Sequence, residues 1–326
     1  MLDDLHLLPK FRDSLSYLYI EHARIDRHEK SIAIHNPEGI VPVPASSLVL
    51  LMLGPGVSVT HAAITTLAEL NCLVVWCGEE NVRFYALGTG GTRSGASILH
   101  QARLVSDEGK RLEVVRRMYR LRFQDKIDDA LTVEQLRGME GVRVRESYAA
   151  ASKLSGVEWS GRSYDRMEWR SADPVNRALS CANSCLYGVC HAAILTTGYS
   201  AALGFIHTGK QLSFVYDIAD LYKAEISIPL AFEVAAEEPE NLERTTRLKM
   251  RDKFREARLL QRIIPDIQKV LGVRLDESPL SMDSDPALPT ELWTPESELA
   301  ARYGGGGSAE SGGNDEGSNH EGGNSQ

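Results

Sequence analysis

Three residues in the stretch GFIHTGKQLSFVYDIADLYK, Gly204 to Lys223, have types and spacing suited to holding a metal ion. His207 opens the turn-like His-Thr-Gly-Lys that closes on Lys210, Asp217 follows ten residues after it, and Asp220 three after that. On a helix, positions i and i+3 share a face, so the two carboxylates repel unless a cation or water lies between them. An imidazole on the preceding loop would complete an N/O/O ligand set. Such a set suits a hard divalent ion, Mg²⁺ or Mn²⁺, with the nitrogen favouring Mn²⁺. Two acids at this spacing also describe an ordinary solvated helix face, and a single histidine an ordinary core residue. The aromatic and aliphatic neighbours in FVYDIADLY point to burial of at least one aspartate, and a buried carboxylate needs a partner.

A further acid is offered by LRGMEGVRVRESY, inside a helix expected over Val133 to Leu154. Glu140 stands between Gly138 and Gly141, against helix preference, which leaves space around its carboxylate. Glu146 is a rival, and spacing alone does not choose between them. The helix expected over Lys110 to Phe123 carries Lys110, Arg111, Arg116, Arg117, Arg120 and Arg122. It reads either as a solvated face paired with acids such as Glu113 or as a phosphate-contacting surface. In residues 155–173, Trp159, Tyr164 and Trp169 interleave with Arg162, Arg166 and Arg170. That pattern can stack bases and hold phosphates, or simply cover the core.

The elements that must position these residues follow from periodicity. Short alternating runs at Ser14–Ile20, Ser31–His35, Ile40–Val43 and Leu48–Leu53, punctuated by Asn-Pro-Glu-Gly and Gly-Pro-Gly, predict antiparallel strands. Thr60 is placed to cap a short helix ending near Leu70, with strands at Leu73–Trp76 and Val82–Ala86 after it. LGTGGTRSG, Leu87 to Gly95, lacks both the P-loop and the dinucleotide glycine spacing and reads as a linker. Helical periodicity follows: Ser97–Val105, the basic helix, Val133–Leu154, an apolar central helix over Pro174–Thr197, Ile228–Glu238, and one long helix over Glu243–Leu271. The expected organisation is α+β: a small antiparallel β domain (1–86), a linker (87–95), a larger all-helical domain (96–275) and an acidic, Pro/Gly/Ser-rich tail (276–326), low-complexity and disordered beyond Gly304.

Composition narrows the class. The chain has 326 residues, 43% of them hydrophobic, enough for two cores. The opening MLDDLHLLPK is not a secretory leader, and runs such as Leu48–Leu53 are too short to span a bilayer, so a cytoplasmic protein with no membrane partner is expected. Five cysteines without a C-x-x-C argue against a zinc ribbon or a disulfide framework, and Cys181 and Cys185 read as small core residues. The net charge of −9 hides an uneven distribution. Eleven acids and one base fall from Asp276 onward, so the body is close to neutral and a nucleic-acid partner stays open.

Several of these stretches together resemble one family, the CRISPR-associated adaptation integrase Cas-one of the type I-E subtype. The words that carry the likeness are GEENVRFYA, EQLRGMEGVRVR, WSGRSYD, SCLYGV and GFIHTGKQLSFVYDIADLYK, in order, across roughly residues 12 to 270. The resemblance implies a homodimer, with dimers flanking a Cas-two dimer, acting on double-stranded DNA, both protospacer and CRISPR repeat. It implies that Glu140, His207 and Asp220 are the metal ligands, with Asp217 a further catalytic acid. It implies DNA contacts at Arg83, Arg162, Tyr164, Trp169, Tyr187, Lys210, Tyr216, Lys223 and Arg247, Tyr164 wedging at the duplex end. Ser58 stands where the family carries a basic DNA contact, and the tail beyond Ser278 keeps only a loose Pro-rich likeness.

The implied activity is spacer acquisition: joining of 3′-hydroxyl ends to the repeat by metal-assisted transesterification, with endonuclease activity when water is the nucleophile. Two rivals use the same residues differently. One is a metal-dependent nuclease on branched DNA in repair; the other is a non-catalytic DNA-binding scaffold.

Overall fold

The computed structural model describes residues 17–29, 31–78, 84–88, 95–123, 128, 130–162 and 172–273, all within one compact unit, Met1–Pro286. Its strands are β1 (Leu18–Ile20), β2 (Arg24–His28), β3 (Ser31–Asn36), β4 (Gly39–Val43), β5 (Leu50–Leu53), β6 (Ser58–Val59), β7 (Leu73–Cys77) and β8 (Phe84–Gly88). Its helices are α1 (His61–Glu69), α2 (Ala96–Ser106), α3 (Glu108–Phe123), α4 (Val133–Ser155), α5 (Pro174–Thr196), α6 (Ser213–Ala219), α7 (Ser227–Glu237), α8 (Leu242–Glu256) and α9 (Leu259–Leu271). Strand-rich sheets followed by a helical region give the α+β class expected from the sequence.

The strands form two four-stranded sheets, ordered β1-β5-β7-β8 and β4-β3-β2-β6. The expected antiparallel pairing holds for β2–β3, β3–β4 and β7–β8. It is corrected elsewhere: β1–β5, β5–β7 and β2–β6 are parallel, so both sheets are mixed. The reason lies in burial. All four residues of β5 are buried, the mark of a strand covered on both faces and seated inside a sheet rather than in a hairpin with one wet face.

Alternation along β5 divides the interior in two. Leu50 and Met52 join the core of α5 and its helical neighbours; Leu51 and Leu53 join Ile25, Ile32, Ala63 and Leu67 beneath the second sheet and α1. The first sheet is therefore a wall with a core on each side. Its contact with α5 is close: a Cβ on Gly188 would lie 2.7 Å from Leu50 Cδ2. The Tyr17 hydroxyl, donating to the Arg247 carbonyl, ties the start of β1 to α8.

Local signals set the helix ends. The Thr60 side chain accepts from Ala63 N at the start of α1. Thr132 and Gln135 form a reciprocal capping box on α4, which ends at Gly156 with φ 74°. Asp173 caps α5, with Pro174 in its first turn. α5 is long and apolar enough to cross a membrane, but 83% of its most apolar stretch is buried inside the protein, as befits a central helix. The single helix expected over Glu243–Leu271 is broken: Arg258 is left-handed, φ 48°, and separates α8 from α9. Leu87 and Gly88, expected in the linker, belong to β8, and residues 89–94 of that stretch lie outside the described residues.

Candidate active site

The site is built on a loop knotted around one carboxylate. Asp217, on α6, is 1% exposed. Its Oδ2 accepts from the backbone N–H groups of Phe205 (2.6 Å) and Ile206 (3.1 Å), and its Oδ1 from that of His207 (2.9 Å). His207 Nδ1 lies 2.8 Å from the same Oδ1. Because a carboxylate only accepts, Nδ1 carries the proton and Nε2 is the imidazole atom left for other chemistry. The hydrogen bond to Asp217 raises the His207 pKa above its ordinary value against the opposing effect of burial, and the Asp220 charge adds to the rise.

The knot leaves no slack. A Cβ on Gly204 would fall 2.2 Å from the His207 carbonyl oxygen, so a glycine is needed there. Side chains from three helices grip the loop from outside. Gln101 of α2 bonds Ser200 and Leu203, Arg111 of α3 donates to the Phe205 carbonyl (2.9 Å), and Arg137 of α4 donates to that of Ile206 (2.7 Å). Asp217 is thus consumed by positioning the histidine.

The other two acids have a different environment. Glu140, on α4, accepts from the Tyr119 hydroxyl (2.6 Å) and from Arg122 Nη1, both on α3. The same Arg122 nitrogen is 3.8 Å from Asp220 Oδ2, and Lys223 Nζ is 2.6 Å from Asp220 Oδ1. Asp220 caps the C-terminal end of α6, so the i, i+3 relation to Asp217 exists, but Asp217 bonds the His207 loop while Asp220 pairs with Lys223. Burial opposes protonation of Lys223, yet Asp220 and Tyr187 beside it hold its pKa above the ordinary lysine value. Burial and the bond to Glu140 push the Tyr119 hydroxyl well up, so it stays a donor.

Tyr187 and Tyr216 pack edge to face, ring centroids 5.1 Å apart, and His207 stacks edge-on to Tyr216 at 5.8 Å. Lys223 Nζ lies 4.9 Å above the Tyr187 ring and Lys210 Nζ 5.9 Å above that of Tyr216. The structure thus gathers His207, Lys210, Tyr187, Tyr216, Lys223 and Asp220 in one neighbourhood. Arg122 links Glu140 to it.

The remaining expected positions lie elsewhere. Arg162 donates to the Asn176 carbonyl and Oδ1 and to Ser180 Oγ at the start of α5. Arg247, on α8, stacks 4.1 Å over the Tyr19 ring and lines a cleft of 210 Å³ with Arg244 and Arg251. Glu146 is exposed, and Ser58 is exposed in β6. Arg83, Tyr164 and Trp169 lie outside the described residues.

Among the described residues, no three His, Cys, Asp or Glu side chains stand close enough together to hold a metal ion. The chemistry of the donors nonetheless fits one. Two carboxylates already turn toward a single cationic nitrogen, and an oriented imidazole stands on the neighbouring loop. Sequence reasoning gave Tyr119 no role and read Arg122 only as one of six bases on a solvated or phosphate-contacting helix; the structure buries Arg122 and sets both residues on Glu140. The only signal for them is their i, i+3 spacing, which puts both on one face of α3.

The comparison with known proteins decides the family. The chain matches the family model described as "CRISPR associated protein Cas1" over residues 16–125 and 119–243. It belongs to the Cas1 family. A relative from Thermus thermophilus, "CRISPR-associated endonuclease Cas1 2", is 52% identical over 301 residues, 91% of this chain and 93% of that protein. The crystal structure of TtCas1 superposes with a TM-score of 0.73 at 51% identity, covering 79% of this chain and 98% of that one. A TtCas1–DNA complex matches with a TM-score of 0.61 at 54% identity, over 80% and 97% of the two chains. Within a Cas1 fold, the knotted histidine and the paired acids are the candidate catalytic centre.

Proposed function

We propose that this chain is a DNA integrase and endonuclease of CRISPR spacer acquisition, of the type I-E subtype. It works in the cytoplasm as a homodimer with a Cas-two dimer, on protospacer and repeat DNA. The observation that carries the reading is the convergence of Glu140 and Asp220 on one cation, Arg122, beside the neighbourhood of His207. The endonuclease names of the relatives and the DNA in a solved family complex support it.

In this reading Glu140, Asp220 and His207 would hold a Mg²⁺ or Mn²⁺ ion, with Asp217 fixing the imidazole through Nδ1. The ion, when bound, supplies Lewis-acid polarisation of a phosphodiester. The chain's own residues do the rest. Lys223 and Lys210 offer positive charge to the DNA backbone, and Tyr187 and Tyr216 present ring faces and hydroxyls next to them. The attacking group is the 3′-hydroxyl of an incoming fragment for integration, or water for nicking. No side chain becomes covalently attached, so the serines and buried cysteines of the site region have no chemical part.

The test is strand transfer by His207→Ala. The variant is expected to fold, to bind DNA and to join no 3′ ends to a repeat; full integration by it would overturn the reading. Equal activity on branched DNA without repeat or Cas-two would instead assign a repair nuclease.

A further inference from the structure

We propose that Arg122 is a displaceable counter-ion, so that divalent metal binding at this site is the exchange of one cation for another. The inference rests on the metal-site reading above and concerns a residue to which that reading gives no chemical role. Arg122 is seated, not fringing: its side chain is 6% exposed, and its partners Glu140 and Asp220 are 18% and 12% exposed. One of its nitrogens, Nη1, makes both contacts. It therefore does for the two carboxylates what a bound ion would do, cancelling their repulsion in a poorly hydrated place.

Charge decides the rest. Arg122 and Lys223 already set positive charge against the two carboxylates. A divalent ion gains less attraction from carboxylates that already face a cation than from bare ones. The guanidinium must leave for the carboxylates to recover charge for the ion. Lys223 is the cation that stays: it pairs with Asp220 and is held over the Tyr187 ring. Arg122 is the one that spans both acids, and a cationic nitrogen set between two carboxylates blocks an ion from taking the same place. Arg122 is thereby a positioning residue with two states: a stabiliser of the metal-free protein and a competitor of the metal.

The experiment is Mn²⁺ titration of the full-length protein followed by the electron paramagnetic resonance of free Mn²⁺, with thermal unfolding alongside. Arg122→Gln is expected to bind Mn²⁺ about tenfold more tightly than wild type. Its metal-free melting temperature should be lower and its gain on adding Mn²⁺ larger. Glu140→Gln, in either background, is expected to abolish this binding. A folded Arg122→Gln protein with unchanged or weaker affinity would overturn the exchange while leaving the metal site intact. If Glu140→Gln leaves Mn²⁺ binding untouched, or no protein binds Mn²⁺, the metal-site reading itself fails and the exchange with it. Should Arg122→Gln not fold, Arg122→Lys retains the charge but not the bridge, and about threefold tighter binding is expected. Equal or weaker binding by that variant overturns the exchange.

Discussion

Two carboxylate environments sit side by side in this protein and are held in opposite ways. Asp217 is satisfied by three backbone N–H groups and an imidazole, all fixed by the chain's own path. Glu140 and Asp220 are satisfied by the ends of long side chains, Arg122, Lys223 and Tyr119. Backbone donors cannot leave without unfolding the loop; side-chain cations can rotate away. One environment builds geometry and the other keeps charge available for exchange. The difference separates a positioning acid from candidate ligand acids, although all three are shielded from solvent.

The largest effect expected from this contrast is on activity. Glu140→Gln should cut DNA nicking and strand transfer on the order of 10³-fold, the scale of removing a preorganised electrostatic group. The amide still accepts from Tyr119, and Arg122 keeps Asp220, so the protein should stay folded by circular dichroism. An active Glu140→Gln protein would break the assignment. Asp217→Asn should behave differently, because an amide nitrogen would face donors that need an acceptor. A stability loss of about 3 kcal/mol in urea denaturation is expected, together with lost activity. If Asp217→Asn were as stable as wild type, the positioning role would fall. Gly204→Ala probes the same knot without touching a charge. Its new methyl would meet the His207 carbonyl and Ser213, and a cost of about 2 kcal/mol is expected by the same measurement.

The contrast also explains what was legible in the sequence. His207, Asp217 and Asp220 lie within fourteen consecutive residues, so local spacing could place them on one loop and helix. Glu140 and Glu146 looked alike until burial separated them: Glu146 is exposed, and Glu140 is tied to α3. Arg122 was one of six basic residues on a helix, and no local pattern tells it from Arg120, because its partners lie 18 and 98 residues away. The same limit governs the fold. Caps at Thr60 and the central helix were readable because their causes are local. The parallel pairing of β1, β5 and β7 depends on which distant segments share a wall, and the break at Arg258 follows no Gly or Pro.

The smallest expected effect compares two histidines and sharpens the role of Asp217. His191, on α5, is buried, and desolvation pushes its pKa down to about 4. His207 is shifted the other way, chiefly by its bond to Asp217. The signs differ accordingly. Protonated His207 contributes stability that is fully present below the ordinary value of 6.5 and is lost as pH rises through its raised folded value. For His191 the unfolded chain takes up a proton that the folded chain refuses, so stability falls as pH drops from 6.5 toward about 4. Histidine NMR titration should place His207 above 6.5 in wild type and return it toward that value in Asp217→Asn, with His191 unmoved. Metal binding needs the neutral ring, so Mn²⁺ affinity should rise with pH through the His207 midpoint and lose that dependence in His207→Ala. A His207 that titrates at or below 6.5 in wild type would mean that Asp217 holds only the backbone of the loop and not the imidazole.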